Sequence, residues 1–295
     1  MPRCDKAQHM VTRFVPSPTG RLHVGHGWSA LLAHDAARAA DGRFLLRIED
    51  IDGTRSRTEH IAGIEEDLRW LGVAWDGPVW RQSDRLPVYA DALARLDTLG
   101  LTYPCFCTRA DIAREIERSG AAPHGPEGAL YPRICARLSA VEQQERLDAG
   151  QPHAIRLDVA AAMMRCGPLE WRDEDQGIIA ARADLLGDVV LARKDAPVSY
   201  HLAVTVDDAA QAITHVRRGQ DLFMSTHVHR LLQALLDLPT PLYRHHRLLV
   251  DARGRRLAKR DAALTLASLR ETGMDGTALA ADLRAGRFPF GIRRG

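Results

Sequence analysis

Two histidines three residues apart lie in a loop that is dense in proline and glycine. The apolar, β-branched segment 11–15 (VTRFV) predicts a strand, and the loop 16–27 (PSPTGRLHVGHG) that follows it carries His23 and His26. A helical pattern runs from about residue 28 to residue 40. Backbone N–H groups at a helix N-terminus favour bound phosphate. Strand, loop and helix together therefore predict a nucleotide site rather than a tight turn with two surface histidines.

Three of the five cysteines predict a metal site. Cys105 and Cys107 form a CxC pair, and Cys135 follows after a segment rich in Gly and Pro. Structural zinc takes four ligands in a tetrahedron, usually Cys or His. Three thiols leave one position open, for which His124 in the intervening loop is the ordinary candidate. The alternative is three free thiols. An odd number of cysteines in a long chain argues against a disulfide framework and for a reducing cytoplasm.

Alternating strands and helices must position these residues. A strand, a glycine-rich turn, a helix and a second strand at 43–48 form the opening of a parallel α/β unit. The acidic run 47–52 (RIEDID) ends that strand, at the edge where such folds bind ligands. The middle region is irregular and is predicted to have its own small sheet. After it, a strand at 212–217 and an amphipathic helix at 221–237 resume the alternation of strands and helices. The predicted units are a Rossmann-like α/β domain (1–103 and 195–250), an α+β insertion (104–194), and a loop with a helical tail (251–295).

The composition excludes several classes of protein. With 45% hydrophobic and 26% charged residues, the 295-residue chain is an ordinary globular protein that can bury a sizeable core. A net charge of +2 excludes a strongly basic nucleic-acid coat, but not a local basic groove. No apolar run reaches the roughly 18 residues of a membrane helix, and the polar N-terminus does not predict a signal peptide. We therefore expect a cytoplasmic protein that does not bind membranes.

The segment PSPTGRLHVGH resembles the HIGH signature of class I aminoacyl-tRNA synthetases, in the form used by the glutamyl and glutaminyl branch. The four signature positions are taken by His23, Val24, Gly25 and His26. In that family the histidines contact the phosphates of ATP and stabilise charge in the transition state. The resemblance thus implies that His23, Gly25 and His26 bind ATP, that both histidines are catalytic, and that Mg²⁺ shares the phosphate charge.

The same resemblance implies a pocket for glutamate. Its members are Arg13, Phe14, Val15, Pro16, Ser17, Glu49, Tyr200 and Arg218. Arg13 matches the arginine that reads the glutamate side chain, since a guanidinium can bond both oxygens of a carboxylate. Glu49 matches the acceptor of the α-amino group, and Tyr200 the contact to the backbone end of the substrate. Arg218, in HVRRGQDL, aligns with a second arginine that contacts glutamate.

The basic segment 255–261 (RRLAKRD) resembles a degenerate KMSKS loop. Only 3 of the 40 basic residues are lysine, so a lysine at this place is notable. A compact ammonium on a flexible stem suits a moving pyrophosphate. The resemblance implies that Lys259 is catalytic and binds the β- and γ-phosphates of ATP, and that Arg256 is a tolerated replacement.

Three further features bear on the resemblance. The glutamyl-type arrangement CxC…YxxxC offers Tyr131, four residues before Cys135, as the fourth zinc ligand beside the alternative His124. On a helical turn, Tyr131 and Cys135 would share a face. In SYHLAVTVDD, Asp207 and Asp208 match an acidic pair of the amino-acid pocket, whereas Val204 replaces an Asn of glutamyl-tRNA synthetases. Four further histidines, His227, His229, His245 and His246, lack a matching acidic partner in the sequence and are predicted to be surface or partner contacts.

The resemblance covers about residues 11–260, and the residues from 261 to 295 are too few for a helical domain that reads an anticodon. It is therefore a resemblance to the catalytic half alone. Truncated members of the family activate L-glutamate with ATP and attach it to the queuosine base in the anticodon loop of tRNA(Asp). The implied partners are L-glutamate and the tRNA(Asp) anticodon stem-loop carrying queuosine, and we expect a monomer.

Two other functions stay open. One is charging of the tRNA 3′ end by an enzyme that works with a separate anticodon reader. The other is a non-catalytic tRNA-binding relative with a degenerate loop, because fold-level analogy does not prove activity.

Overall fold

A computed structural model describes the chain from residue 9 to residue 295. The residues outside the description are 1–8, 54–55, 120–123, 126–127, 256 and 258–264, and residues 118–119, 124–125 and 128–129 are described by their backbone alone. The predictions for Arg256 and Lys259, and for the side chain of His124, therefore lie outside the described residues.

The strands and helices alternate through most of the chain. The strands are β1 (Val11–Phe14), β2 (Arg43–Ile48), β3 (Trp80–Arg81), β4 (Thr102–Cys105), β5 (His124–Gly125), β6 (Gly128–Ala129), β7 (Ala154–Leu157), β8 (Glu170–Asp173), β9 (Gly177–Ala180), β10 (Val190–Ala192), β11 (His215–Gly219), β12 (Leu242–His246), β13 (Leu249–Val250) and β14 (Arg293–Arg294). The helices are α1 (Val24–Ala39), α2 (Thr58–Trp70), α3 (Leu86–Thr98), α4 (Arg109–Ser119), α5 (Ala140–Asp148), α6 (Val159–Cys166), α7 (Tyr200–Ala210), α8 (Ser225–Leu235), α9 (Leu266–Glu271) and α10 (Gly276–Arg284).

Parallel strands form the part of the fold that positions the site. β1 pairs with β2 and β2 with β3, all in parallel, and β11 pairs in parallel with β12. The backbone N–H of Val11 donates to the Thr214 hydroxyl (2.8 Å), and the N–H of Thr214 donates to the Val11 carbonyl (3.0 Å), which holds β11 beside β1. The predicted α/β fold class is confirmed, and the carboxyl ends of β1 and β2 emerge at one edge.

Helix α1 begins at Val24, four residues earlier than the hydrophobic pattern predicts. His23 is its N-cap: the His23 side chain accepts from the Gly25 N–H (3.1 Å), while His26 Nδ1 accepts from the His23 N–H (3.2 Å). This reciprocal pair satisfies two of the amide groups that a helix start leaves open. The pattern misses it because histidine is not a usual cap and the glycines there are poor helix formers.

The region predicted as an insertion with its own sheet contributes strands to three sheets. β4, β7 and β10 form a separate antiparallel sheet, and β5 and β6 form a two-stranded one. The hairpin β8–β9 instead joins β12, with Asp173 opposite Tyr243, so that part of the prediction is wrong. Trp171 of β8 is buried against Tyr243, with ring centroids 5.5 Å apart. Burial of these aromatic rings holds the hairpin to the main sheet, and no local pattern reveals a contact between segments so far apart.

The C-terminal part packs on α1 and returns to the loop before it. The Leu266 N–H donates to the Leu22 carbonyl (2.8 Å), and Thr265 forms a bridge with His23. Arg270 of α9 donates to the buried Asp67 of α2 (2.7 Å). The far flank of the KMSKS-like segment thus contacts the start of α1. None of the helices in the described part of the chain combines the length and hydropathy that a membrane crossing needs.

Candidate active site

A cavity of about 280 Å³ lies between the carboxyl ends of β1 and β2 and the N-terminus of α1. Among its lining residues are Arg13, Phe14, Val15, Pro16, Ser17, His23, Gly25, His26, Glu49, Tyr200 and Arg218. The structure therefore brings together every described residue that the resemblance implies for ATP and glutamate. Leu257, from the KMSKS-like segment, lines the same cavity.

The two signature histidines stack at the entrance to α1. Their ring centroids are 3.7 Å apart with an interplanar angle of 26°. Each ring accepts a backbone N–H at Nδ1, so a neutral ring carries its proton on Nε2, which is then a donor. A Cβ added at Gly25 would lie 3.0 Å from Cε1 of His23, so glycine is needed for this close approach. The arrangement offers N–H donors and a helix N-terminus to an anion.

Arg13 is buried and paired with an acidic residue of the chain. Its Nε and terminal nitrogen lie 3.2 and 3.3 Å from the Asp208 carboxylate, which also accepts from Arg47 (2.7 Å). Burial opposes ionisation, yet Arg13 and Arg47 hold the pKa of Asp208 below its usual range. Asp207 binds the Tyr89 hydroxyl (2.7 Å). Neither aspartate lines the cavity. Asp208 holds Arg13 from behind the pocket, whereas Asp207 pairs with Arg47 and Arg85, which do not line it.

Arg218 is equally buried, but its hydrogen-bond partners among the described residues are all neutral. Its side chain donates to the Tyr200 hydroxyl (3.2 Å), the Thr226 hydroxyl (2.7 Å) and the Leu222 carbonyl (3.1 Å). Its Nε donates to Nε2 of His245 (3.2 Å). Among the ion pairs of the described residues, none includes Arg218. A buried charge without a counter-ion is costly, so this guanidinium favours an anionic ligand in the cavity.

Three of the four histidines predicted to be surface or partner contacts, His227, His229 and His245, are buried, so that prediction is wrong for them. His246 is half-buried. His227 accepts from the Trp171 indole (3.2 Å), and Nδ1 of His229 lies 3.4 Å from Arg218. His245 pairs with Asp173 (2.8 Å). The sequence missed these partners because they come from distant segments. The sequence offers one signal for the burial of His245. Tyr243 and His245 are two residues apart on β12, so their side chains lie on the same face of the strand.

Burial and the neighbouring Arg218 guanidinium keep His229 and His245 neutral. Desolvation, with Arg218 second, lowers the pKa of His245 to about 4. The same two causes hold the pKa of His229 well below its ordinary value. At neutral pH the positive charge beside the cavity therefore belongs to Arg218 and not to the imidazoles.

Glu49 and Tyr200 both line the cavity, and burial raises the pKa of each. The Glu49 N–H donates to the Pro16 carbonyl (3.0 Å), which fixes the end of β2 to the loop after β1. Burial raises the pKa of Glu49 to about 7, against the opposing effects of Arg47 and Arg13. Burial also raises the pKa of Tyr200 to about 12, so its hydroxyl stays protonated. Glu49 thus changes charge near neutral pH.

A second, larger cavity of about 590 Å³ adjoins the first. Ser17, Glu49 and Tyr200 line both, and the second cavity continues to Tyr131 and Arg156 of the insertion. A molecule in this second space would reach the residues that also border the smaller cavity.

The three predicted metal-binding cysteines meet in the insertion. Their sulfur atoms all lie within 4.8 Å of one another, and the Cys107 and Cys135 sulfurs are 3.4 Å apart. The Tyr131 hydroxyl lies 3.3 Å from the Cys105 sulfur and 3.6 Å from the Cys107 sulfur. Tyr131 reaches them from a loop, not from the helical turn that the spacing suggests. Three thiols and an oxygen donor in this arrangement suit zinc.

Comparisons with known proteins agree with this geometry. Residues 9–288 match the family model described as "tRNA synthetases class I (E and Q), catalytic domain". A protein of Rhodobacter capsulatus named Glutamyl-Q tRNA(Asp) synthetase is 50% identical over 273 residues, which are 90% of this chain and 96% of that protein. A protein of the same name from Nocardia farcinica is 45% identical, over 88% of this chain and 79% of that protein.

Among solved structures, the crystal structure of a glutamate-tRNA synthetase from Elizabethkingia anophelis superposes with a TM-score of 0.74 and 29% identity. The match covers 86% of this chain and 53% of that one, so this chain spans about half the length of that synthetase. The chain belongs to the class I tRNA synthetases of the E and Q family, whose members are ATP-dependent ligases, and it carries their catalytic domain.

Proposed function

We propose that this protein activates L-glutamate with ATP and transfers the glutamate to the queuosine base in the anticodon loop of tRNA(Asp). The observation that carries the proposal is that Arg218, a buried arginine whose described hydrogen-bond partners are all neutral, lines one cavity with the stacked histidines His23 and His26. The similarity to two proteins named Glutamyl-Q tRNA(Asp) synthetase supports the choice of acceptor. We expect the protein to act as a monomer in the cytoplasm.

In the first step, an oxygen of the α-carboxylate of glutamate bonds to the α-phosphorus of ATP. The bond between that phosphorus and the oxygen that bridges it to the β-phosphorus breaks. Pyrophosphate leaves and glutamyl-adenylate remains. His23 and His26 donate from Nε2 to the phosphates, and Lys259 binds the β- and γ-phosphates. Mg²⁺, when bound, shares their charge. Such chemistry depends on positioning and charge stabilisation rather than on a nucleophilic side chain.

Glutamate itself is held by opposite charges at its two ends. Arg218, with Arg13, meets the side-chain carboxylate, and Glu49 accepts the α-ammonium group. Tyr200 contacts the backbone end. A guanidinium and a carboxylate that line one cavity favour a zwitterionic amino acid with a second carboxylate over neutral amino acids.

In the second step, a hydroxyl oxygen of the queuosine cyclopentenediol attacks the carbonyl carbon of the adenylate. An ester bond forms, AMP leaves, and the hydroxyl proton passes to solvent or to the AMP phosphate. The cavity that adjoins the glutamate pocket has room for this modified base and shares Glu49 and Tyr200 with it.

The insertion would hold one structural Zn²⁺ through Cys105, Cys107, Cys135 and Tyr131. Zinc bound there would crosslink β4 to the loop before Cys135. Because the second cavity reaches Tyr131, an ordered metal site would also fix one wall of the space for the acceptor.

Two assays test the proposal. Exchange of labelled pyrophosphate into ATP should require glutamate, and radioactive glutamate should label an isolated anticodon stem-loop only when that stem-loop carries queuosine. If only full-length tRNA with an intact 3′ end is labelled, the protein charges the 3′ end instead. If folded protein shows no glutamate-dependent exchange, it is a non-catalytic relative.

A further inference from the structure

Asp173, His245 and Arg218 form a buried chain of hydrogen bonds behind the glutamate pocket. Asp173 Oδ2 lies 2.8 Å from Nδ1 of His245, and Nε2 of His245 accepts from Arg218 Nε at 3.2 Å. The side chains of Asp173 and His245 are 0% and 1% exposed, so solvent does not replace these bonds. Of the three, only Arg218 lines the cavity that the proposed function assigns to glutamate.

The chain of bonds determines which nitrogen of His245 carries the proton. Arg218 has donors only, so Nε2 of His245 must present its lone pair to it. The imidazole proton therefore lies on Nδ1, where the Asp173 carboxylate accepts it. The other oxygen of Asp173 accepts the backbone N–H groups of Asp175 (3.0 Å) and Gln176 (3.2 Å), which fixes the carboxylate at the turn between β8 and β9.

We propose that Asp173 and His245 are positioning residues, which orient Arg218 towards the side-chain carboxylate of bound glutamate and thereby favour glutamate over glutamine. This inference rests on the proposed function. The Arg218 side chain has three kinds of nitrogen, and His245 holds Nε while Tyr200 and Thr226 bind the terminal nitrogens.

The surroundings explain why the arrangement selects a carboxylate. Every described hydrogen-bond partner of the Arg218 guanidinium is neutral, and the nearest carboxylate along the chain of bonds, Asp173, is separated from it by the imidazole ring. A bound glutamate would supply the missing negative charge. A glutamine would leave a buried cation without a counter-ion, and a site built for a charged partner rejects such an analogue strongly.

Asp173→Asn tests this arrangement with almost no change in size. The amide oxygen of the substituted side chain can still accept the two backbone N–H groups, but its NH₂ group faces Nδ1 of His245. The ring proton must then move to Nε2, where it meets the N–H of Arg218. We expect the KM for glutamate in ATP–pyrophosphate exchange to rise about tenfold, the KM for ATP to stay within about twofold, and the ratio of kcat/KM for glutamate over glutamine to fall about tenfold.

Asp175→Asn is the matched control, because Asp175 lies on the same turn but pairs with the exposed Arg244. This variant should behave as wild type in all three measurements. The inference would be overturned if Asp173→Asn raised the KM for glutamate and the KM for ATP by the same factor. It would also be overturned if the folded variant kept the wild-type KM for glutamate.

His245→Phe provides an independent test, and it serves if Asp173→Asn does not fold. Phenylalanine keeps the aromatic packing of the His245 ring against Phe223 (5.1 Å) and Tyr243 (5.9 Å) but cannot accept from Arg218. It should show the same selective loss, and adding Asp173→Asn should cause no further loss, because both changes break one chain of bonds. Additive losses would contradict the inference. Glutamate-dependent exchange by the wild type is measured first, since its absence contradicts the proposed function instead.

Discussion

Arg13 and Arg218 line the same cavity but differ in the charge of their partners. Arg13 faces the Asp208 carboxylate, whereas Arg218 is surrounded by hydroxyls, a carbonyl and neutral imidazoles. Of the two, Arg218 keeps more of its positive charge for a ligand. Glu49, which lines the same cavity, supplies the opposite charge, and its pKa is raised to about 7, within the physiological pH range. The affinity for a zwitterionic substrate should therefore depend on the protonation of one residue.

The KM for glutamate should fall as the pH rises from about 6 to about 8. The pKa of Glu49 is raised to about 7, so at about pH 6 roughly one molecule in ten has the carboxylate that binds the α-ammonium group. We expect a change of up to about tenfold, measured by ATP–pyrophosphate exchange. Glu49→Gln should bind glutamate weakly at every pH, and a pH dependence that persists in this variant would assign the effect elsewhere.

The same raised pKa affects stability with a definite sign. The folded state favours protonated Glu49, so the fold loses stability as the pH rises from the ordinary pKa of 4.5 to beyond about 7. Glu49→Gln should therefore raise the melting temperature at about pH 8 and have little effect at about pH 4.5. Equal effects at both pH values would contradict the proposed cause.

The junction of β1, the loop and α1 depends on one glycine. This glycine, Gly25, lets the His23 ring fold back over the first turn of the helix. There the ring accepts a backbone N–H and stacks on His26. The second junction is the buried group of charges behind the pocket, which joins β1, β2 and α7 through Arg13, Arg47 and Asp208. Both junctions hold functional side chains at the ends of regular elements.

Gly25→Ala should lower ATP–pyrophosphate exchange about tenfold with little loss of stability. The added methyl lies 3.0 Å from the His23 ring, so the ring must shift by a few tenths of an ångström. A displacement of a catalytic group by about 1 Å can cost about a hundredfold in rate, and this smaller shift should cost less. Gly53→Ala is the control, because no atom of the described residues beyond its chain neighbours lies within 4 Å of its added Cβ. The two variants are compared by their ATP–pyrophosphate exchange kinetics and their melting temperatures. Normal exchange by Gly25→Ala would contradict the role assigned to His23.

Asp208→Asn should lower the free energy of unfolding by about 3 kcal/mol, because it leaves the buried Arg13 and Arg47 without one of their counter-ions. Denaturation in urea measures the loss. In Asp282→Asn, which breaks an exposed pair with Arg287, the loss should stay below about 1 kcal/mol. Similar losses in the two variants would show that the buried group of charges does not hold these elements together.

At the scale of the whole molecule, the described residues form separate apolar cores. One surrounds α1, β2 and α2, a second joins α3, α7 and α8, and a small one contains Tyr103, Cys105, Phe106 and Cys135. The small core includes few side chains, so it needs additional crosslinks. The cysteine cluster lies within it and next to the larger cavity, whereas the histidines and arginines of the smaller cavity belong to other parts of the molecule.

Removal of zinc should therefore affect transfer more than activation. We expect about one zinc ion per chain by elemental analysis, and treatment with a chelator, or Cys135→Ser, should remove it and produce an early thermal transition. Glutamate-dependent pyrophosphate exchange should be largely retained while labelling of the queuosine stem-loop is lost. Cys166→Ser, outside the cluster, should keep the metal. Loss of exchange in parallel with transfer would show that the insertion supports the whole active site.

The sequence by itself determined the local chemistry of this protein. The order of strand, loop and helix around His23 and His26, and the spacing of Cys105, Cys107 and Cys135, depend on neighbours along the chain, so they are readable without a structure. The tertiary structure alone decided the pairing of charges: Asp208 lies against Arg13 and Asp173 against His245 across 195 and 72 residues. Whether a buried charge is neutralised depends on which distant segments fold against it. The local pattern of residues cannot predict those contacts, because it reflects only neighbours along the chain.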